Sequence, residues 1–191
     1  MLINRIVTLL ASRRPVTVQA HCDTAEGPAV MDGRKALETG NINFALKWIP
    51  ADGEAEVREV FAKALRVRTL GDEAAELADR LFLETMIRVH RMGEGVGFTG
   101  IQPVGTRIDP VVQAADDAIA LGSDEDLLPM VPQERRAELD KRFKAALAIK
   151  DFDVNDVTAA RRYIAAYVSF FKFAEGEDHE HHGAEGHAHQ H

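Results

Sequence analysis

A single short run near the start of the chain carries the residue types best suited to metal chemistry. Residues 21–27 read HCDTAEG and contain Cys22, the only cysteine, directly after His21. An adjacent imidazole and thiolate provide the nitrogen and sulfur donors that nickel, copper and zinc prefer. We therefore predict a site for a divalent transition metal at His21 and Cys22, with Asp23 and Glu26 as oxygen ligands. The alternative is a loop in which Asp23 caps a helix and the cysteine is incidental.

The residues before this run allow a processing step. The small-residue ending Val18-Gln19-Ala20 could be a cleavage boundary, and cleavage there would add the His21 amine and the Cys22 amide nitrogen to the donor set. We interpret residues 1–20 as a leader or pro-segment. Because Arg13 and Arg14 interrupt its short apolar run, which an export signal should not tolerate, we expect a cytoplasmic protein. Export after cleavage near Ala20 is the alternative.

One further histidine lies outside the C-terminal end. His90 falls on the apolar face of a predicted helix, where it is either a hydrogen-bonded core residue or a metal ligand that the fold brings near Cys22. Glu84 on the same helix is expected to pair with Arg88, one turn later, or to act as an acid–base group.

The last residues differ in composition from the rest. Residues 176–191 are rich in glycine, acidic residues and histidine, and we expect them to be disordered. Closely spaced imidazoles chelate nickel, copper, zinc or cobalt, so the segment is predicted to collect metal; an engineered tag is the alternative. Its histidines are His179, His181, His182, His187, His189 and His191.

The pattern of the remaining residues is helical. Apolar residues recur at helical spacing over residues 54–69, 72–92 and about 155–174. Pro28 and the Asp109-Pro110 pair are typical helix starts, and Gly40 is a typical stop. Further helices are expected over residues 41–49 and after Pro132. The predicted fold is all-α: an irregular helical bundle of residues 21–175 around the 72–92 and 155–174 helices.

Composition excludes several classes of protein. The 191 residues carry a formal charge of −8, which argues against a nucleic-acid partner. A single cysteine cannot form an intramolecular disulfide, and no apolar run is long enough to cross a membrane. Residues 95–100 match Gly-x-Gly-x-x-Gly, but they follow a predicted helix rather than a strand, so we reject a dinucleotide-binding interpretation.

Two resemblances bear on function. The His21-Cys22-Asp23 run with Gly27 resembles the N-terminal nickel hook of nickel superoxide dismutase, which implies that the amine, imidazole, amide and thiolate of these residues bind nickel. Here Glu26 stands at the second thiolate position and Ala29 at that of a tyrosine. The chain from Ala20 to Glu177 also resembles an uncharacterised family of helical bacterial proteins. That resemblance rests on His-Cys-Asp followed by Gly-Pro and on the segments 82–85 (FLET) and 90–95 (HRMGEG).

Three functional hypotheses follow. The leading one is a helical protein that binds nickel, copper or zinc through the His-Cys run and collects metal with its tail. The second is a superoxide dismutase-like redox enzyme at the same site. The third is a helical interaction module without metal function. The sequence leaves open whether any reaction is catalysed and which protein partner, if any, is bound.

Overall fold

The computed structural model describes residues 21–176, which fold into a bundle of α-helices. The predicted leader and the six tail histidines lie outside this range. The described residues hold seven α-helices: α1 (Pro28–Thr39), α2 (Asn43–Leu46), α3 (Glu54–Val67), α4 (Asp72–Gly93), α5 (Pro110–Leu121), α6 (Arg136–Leu147) and α7 (Val157–Glu175). The predicted all-α bundle is thus confirmed.

Local sequence signals set several helix ends. Pro28 is the first residue of α1, where its missing N–H needs no partner, and Gly40 ends the helix in the left-handed conformation at φ 69°. The Asp109 carboxylate accepts a hydrogen bond from the Val111 amide at 2.8 Å and so caps α5. All three helix boundaries agree with the prediction.

Two predicted helices begin or end differently. The 41–49 helix is shortened to α2, because the amides of Trp48 and Ile49 bond to carbonyls only three residues back, in turn geometry. Pro132 does not open α6 directly; a 3-10 turn over Gln133–Arg135 precedes it. Such turns are common where a helix begins or ends.

The helices α4 and α7 form the centre of the bundle. Helices α1 and α3 pack against α4, and α5 and α6 pack against α7. Phe82 and Met86 of α4 and Phe170 of α7 are fully buried. A Cβ at Gly33 would lie 2.6 Å from the Leu83 side chain, so a glycine lets α1 approach α4 closely at this point. None of the helices in the described range is long and apolar enough to cross a membrane.

Candidate functional site

The His-Cys run is a tight turn fastened to a distant loop. Within the turn, the Thr24 hydroxyl donates to the His21 carbonyl at 3.2 Å and the Gly27 amide donates to the Thr24 carbonyl at 2.9 Å. Gln102 holds the turn from outside, since its amide donates to the Asp23 carbonyl at 2.8 Å. As a result the side chains of His21, Cys22 and Asp23 are all buried.

The side chain of Asp23 is buried in the bundle and forms an ion pair with an arginine of α4. Its Oδ2 lies 3.2 Å from Nε of Arg91, and Nη1 of the same guanidinium donates to Oε2 of Glu94 at 3.0 Å. Burial raises the pKa of Asp23 to about 6, with Arg91 opposing that rise and Glu94 adding to it. The helix-capping interpretation of Asp23 is wrong, because the N-cap residue of α1 is Gly27 and no side chain caps the helix.

His21 is oriented by a carboxylate from α5. Its Nε2 donates to Oδ2 of Asp116 at 2.5 Å, and the Tyr167 hydroxyl donates to the other oxygen of that carboxylate, also at 2.5 Å. The imidazole packs against Phe171 with ring centroids 5.6 Å apart. Its second nitrogen, Nδ1, is buried and has no hydrogen-bond partner among the described residues.

His90 on α4 repeats this arrangement with a carbonyl in place of the carboxylate. Its Nδ1 donates to the Trp48 carbonyl at 2.9 Å. Burial lowers its pKa, so the imidazole is neutral near pH 7 and Nε2 carries a lone pair. That nitrogen lies 3.7 Å from Oε2 of Glu94 and, within residues 21–176, makes no hydrogen bond.

Cys22 is buried in an environment in which negative charges outnumber positive ones. Burial raises the pKa of its thiol far above the ordinary value, and the negative charges of Glu94, Asp23 and Asp116 raise it further, while Arg91 opposes them. The thiol is therefore protonated at neutral pH. The same surplus of negative charge favours a cation that could replace the proton. Glu94 also lies 3.7 Å from Nε2 of His90, so its charge acts on both His90 and Cys22.

The structure buries four of the predicted ligands and exposes one. His21, Cys22, Asp23 and His90 are buried, and Arg91 and Glu94 link Asp23 to His90, whereas Glu26 is exposed and accepts a hydrogen bond from the Gly105 amide at 3.1 Å. In the part of the chain that the structure describes, no three histidine, cysteine or acidic side chains form a ready-made metal site. Metal binding at this cluster would therefore need donors to move closer or a backbone nitrogen to contribute.

Sequence reasoning missed four residues that shape the cluster: Arg91, Glu94, Asp116 and Tyr167. Arg91 and Glu94 belong to the HRMGEG segment that marked the family resemblance, and this was the only signal for them. Asp116 and Tyr167 occur in ordinary amphipathic helices, and nothing in the sequence around them indicated a role in the site. The predicted Glu84–Arg88 pair is wrong, because Glu84 instead accepts from Arg80 at 2.8 Å while Arg88 pairs with Glu56 on α3.

Comparison with known proteins places the chain in a family. A model for a family of unknown function, DUF6448, matches residues 26–173. The chain belongs to the DUF6448 family. This agrees with the expectation of an uncharacterised family, and the family's description assigns no activity. No curated protein and no solved structure matches the chain.

The limits of the family match divide the candidate site. His90, Arg91, Glu94, Asp116 and Tyr167 lie within the matched DUF6448 stretch, whereas His21, Cys22 and Asp23 precede it. The half of the cluster built by α4, α5 and α7 therefore belongs to the family region. The His21-Cys22-Asp23 part of the run that resembles the nickel hook precedes that region, and only Glu26 and Gly27 of the run lie within it.

Proposed function

We propose that this DUF6448 protein binds a divalent transition metal, nickel, copper or zinc, at the buried cluster of His21, Cys22 and His90. The observation that carries the proposal is the hydrogen bonding of the two imidazoles. Each donates one ring N–H, His21 to a carboxylate and His90 to a backbone carbonyl, and each leaves its other nitrogen buried and unpartnered among the described residues. Histidine ligands of metals are held in this way.

The neighbouring groups suit the same role. The thiol of Cys22 adds a soft donor, and Oδ1 of Asp23 is a further buried oxygen without a hydrogen bond in the described range. Nitrogen and sulfur donors favour nickel, copper and zinc over magnesium and calcium. With only one cysteine in the chain, the site holds a single thiolate, so we propose binding rather than redox cycling as its main function. The histidine-rich tail would deliver metal to it.

Metal content tests this proposal directly. We expect the chain ending at Glu177, which lacks the tail histidines, to retain a single nickel, copper or zinc ion when purified without added metal. Replacing Cys22 with serine should lower the retained metal at least about tenfold, because a hydroxyl is a poor ligand for these ions. Elemental mass spectrometry gives the metal content, and circular dichroism shows whether the variant keeps its helices. A metal-free wild-type chain would contradict the proposal.

The carboxylate that orients His21 provides a second test. Replacing Asp116 with asparagine should weaken metal binding about 10–100-fold, as expected for a group that orients a ligand. The matched control is Asp117→Asn, since the neighbouring Asp117 is exposed and accepts a hydrogen bond from Gln113 on the same helix. Competition with a chromogenic chelator measures both affinities. Equal affinities for the two variants would argue against His21 as a ligand.

An interaction module is the second candidate, and one surface feature favours it. Leu77 and Leu81 lie one turn apart on α4 and are 69% and 57% exposed, with Leu70 close by and 76% exposed. A contiguous exposed apolar surface is typical of protein contacts, and Leu77 and Leu81 would contribute to one on α4. If the tail-less chain retains no metal, this becomes the better hypothesis. A dismutation assay on metal-loaded protein separately tests the superoxide dismutase alternative.

A further inference from the structure

A pocket of about 390 Å³ opens beside the buried cluster, between α1, α5 and α7. Its size is within the range of sites for small molecules. Trp48, Tyr163 and Tyr167 provide its aromatic wall, and Asp32, Asp116 and Glu26 provide its acidic groups. We call it the tyrosine pocket.

The aromatic wall offers rings in two orientations. The rings of Tyr163 and Tyr167 are nearly parallel, with an interplanar angle of 16° and centroids 6.2 Å apart. Trp48 stands almost perpendicular to Tyr167, at 85° and 6.3 Å. The faces of such rings are electron-rich and attract cations, tryptophan and tyrosine most strongly.

The charges around the pocket favour the same kind of ligand. Two lysines also line it, but both ammonium groups are engaged: Lys47 lies 2.8 Å from Oδ2 of Asp32, and Lys150 donates to the Ile119 carbonyl at 2.9 Å. The pKa of Tyr163 is raised by burial and then by Asp116 and Asp32. With Lys47 paired to Asp32, the pocket wall still carries one more carboxylate than ammonium groups, since Glu26, Asp32 and Asp116 face two lysines.

We propose that the tyrosine pocket binds a small organic cation, an amine carried on an apolar body. The apolar part would lie against Tyr163 and Ile164, and the ammonium group would face the aromatic rings and the carboxylates of Asp32 and Glu26. The Tyr163 hydroxyl, which makes no hydrogen bond within the described range, is free to accept one from the ammonium. This proposal does not depend on metal binding at the neighbouring cluster.

Benzylamine is a suitable probe, with benzyl alcohol and benzoate as its neutral and anionic counterparts. Trp48 is the only tryptophan of the chain and lines the pocket, so its fluorescence reports binding directly. The titration uses the full-length protein with a chelator present, which keeps the amine from binding through metal on the tail. We expect a saturable change with benzylamine and an affinity about tenfold higher than that of benzyl alcohol.

Two charge-neutralising variants test the acidic groups. Asp32→Asn and Glu26→Gln should each reduce the preference for benzylamine over benzyl alcohol severalfold, whereas Asp52→Asn, at an exposed position outside the pocket wall, should leave it unchanged. Asp32 also accepts from the Trp48 indole at 2.8 Å, so the exposed Glu26 gives a result even if Asp32→Asn does not fold. Equal binding of amine and alcohol, tighter binding of benzoate, or no saturable change would each overturn the proposal.

Discussion

Replacing Arg91 with methionine is expected to lower the free energy of unfolding by about 3–5 kcal/mol, the range found when one partner of a buried ion pair is removed. Arg91 is only 4% exposed and contacts both Asp23 and Glu94. Methionine fills much of the same volume, so the loss comes from the charge. Without the guanidinium, Asp23 loses its ion-pair partner, and Glu94 retains Lys172 at 3.5 Å and the neutral His90.

A second arginine on α4 shows how much stability an arginine-to-methionine substitution costs when no buried ion pair is lost. Arg88 pairs with Glu56 where both side chains reach solvent, and Arg88→Met should change stability by at most about 1 kcal/mol. The double variant Arg91→Met/Asp23→Asn should be more stable than Arg91→Met alone, because it also removes the unpaired carboxylate. Urea unfolding followed by circular dichroism measures all of these variants.

The same variant should respond to pH in a defined direction. With Arg91 present, burial already holds the pKa of Asp23 at about 6, and removing the guanidinium raises it further. Above about pH 6 the variant must either bury the Asp23 carboxylate without a partner or keep it protonated, and both cost free energy. The free energy of unfolding of the variant therefore falls further below that of the wild type as the pH rises. At about pH 5 Asp23 is protonated in both proteins, and the difference should be smaller. A difference that is equally large at both pH values would mean that Asp23 does not carry the effect.

The parts of the fold that the sequence predicted are those decided by neighbouring residues. Pro28 and Gly40 bound α1 through their own backbone geometry, and Asp109 caps α5 through an amide two residues away. The end of α2 was wrong by three residues because the helical pattern continues through Trp48 and Ile49, whereas their amides bond in turn geometry. Apolar periodicity does not distinguish these two outcomes.

The candidate site was predictable only where its residues are adjacent. His21 and Cys22 are neighbours in the chain, so their donor atoms could be recognised as a pair. The group that orients His21 is Asp116, 95 residues further on, and its partner Tyr167 lies on another helix. Aspartate and tyrosine are common at positions like those of Asp116 and Tyr167 in amphipathic helices. Their role follows from how α5 and α7 pack, which a single sequence does not specify.

Replacing Gly27 with alanine is expected to destabilise the protein by about 1–3 kcal/mol and to displace the metal-binding run. The backbone of Gly27 has φ −70°, which alanine adopts without strain, so the effect is purely steric. A Cβ at this position would lie 2.2 Å from the His21 carbonyl oxygen and 2.9 Å from the Thr24 hydroxyl. The His21 carbonyl belongs to the backbone and cannot move without opening the turn that buries His21 and Cys22, and the Thr24 hydroxyl can rotate away only by losing its hydrogen bond to that carbonyl.

Gly97→Ala is the matched control for this substitution. A Cβ there meets no atom within 4 Å, and the residue is exposed in the loop after α4, so we expect a change within about 0.5 kcal/mol. Thermal and urea unfolding compare the two variants, and metal content of the tail-less chain provides the second readout. Opening the turn moves His21 away from Asp116, so Gly27→Ala should lose metal while its seven helices persist. If it kept both wild-type stability and metal, the close approach of Gly27 to His21 would not be needed to form the site.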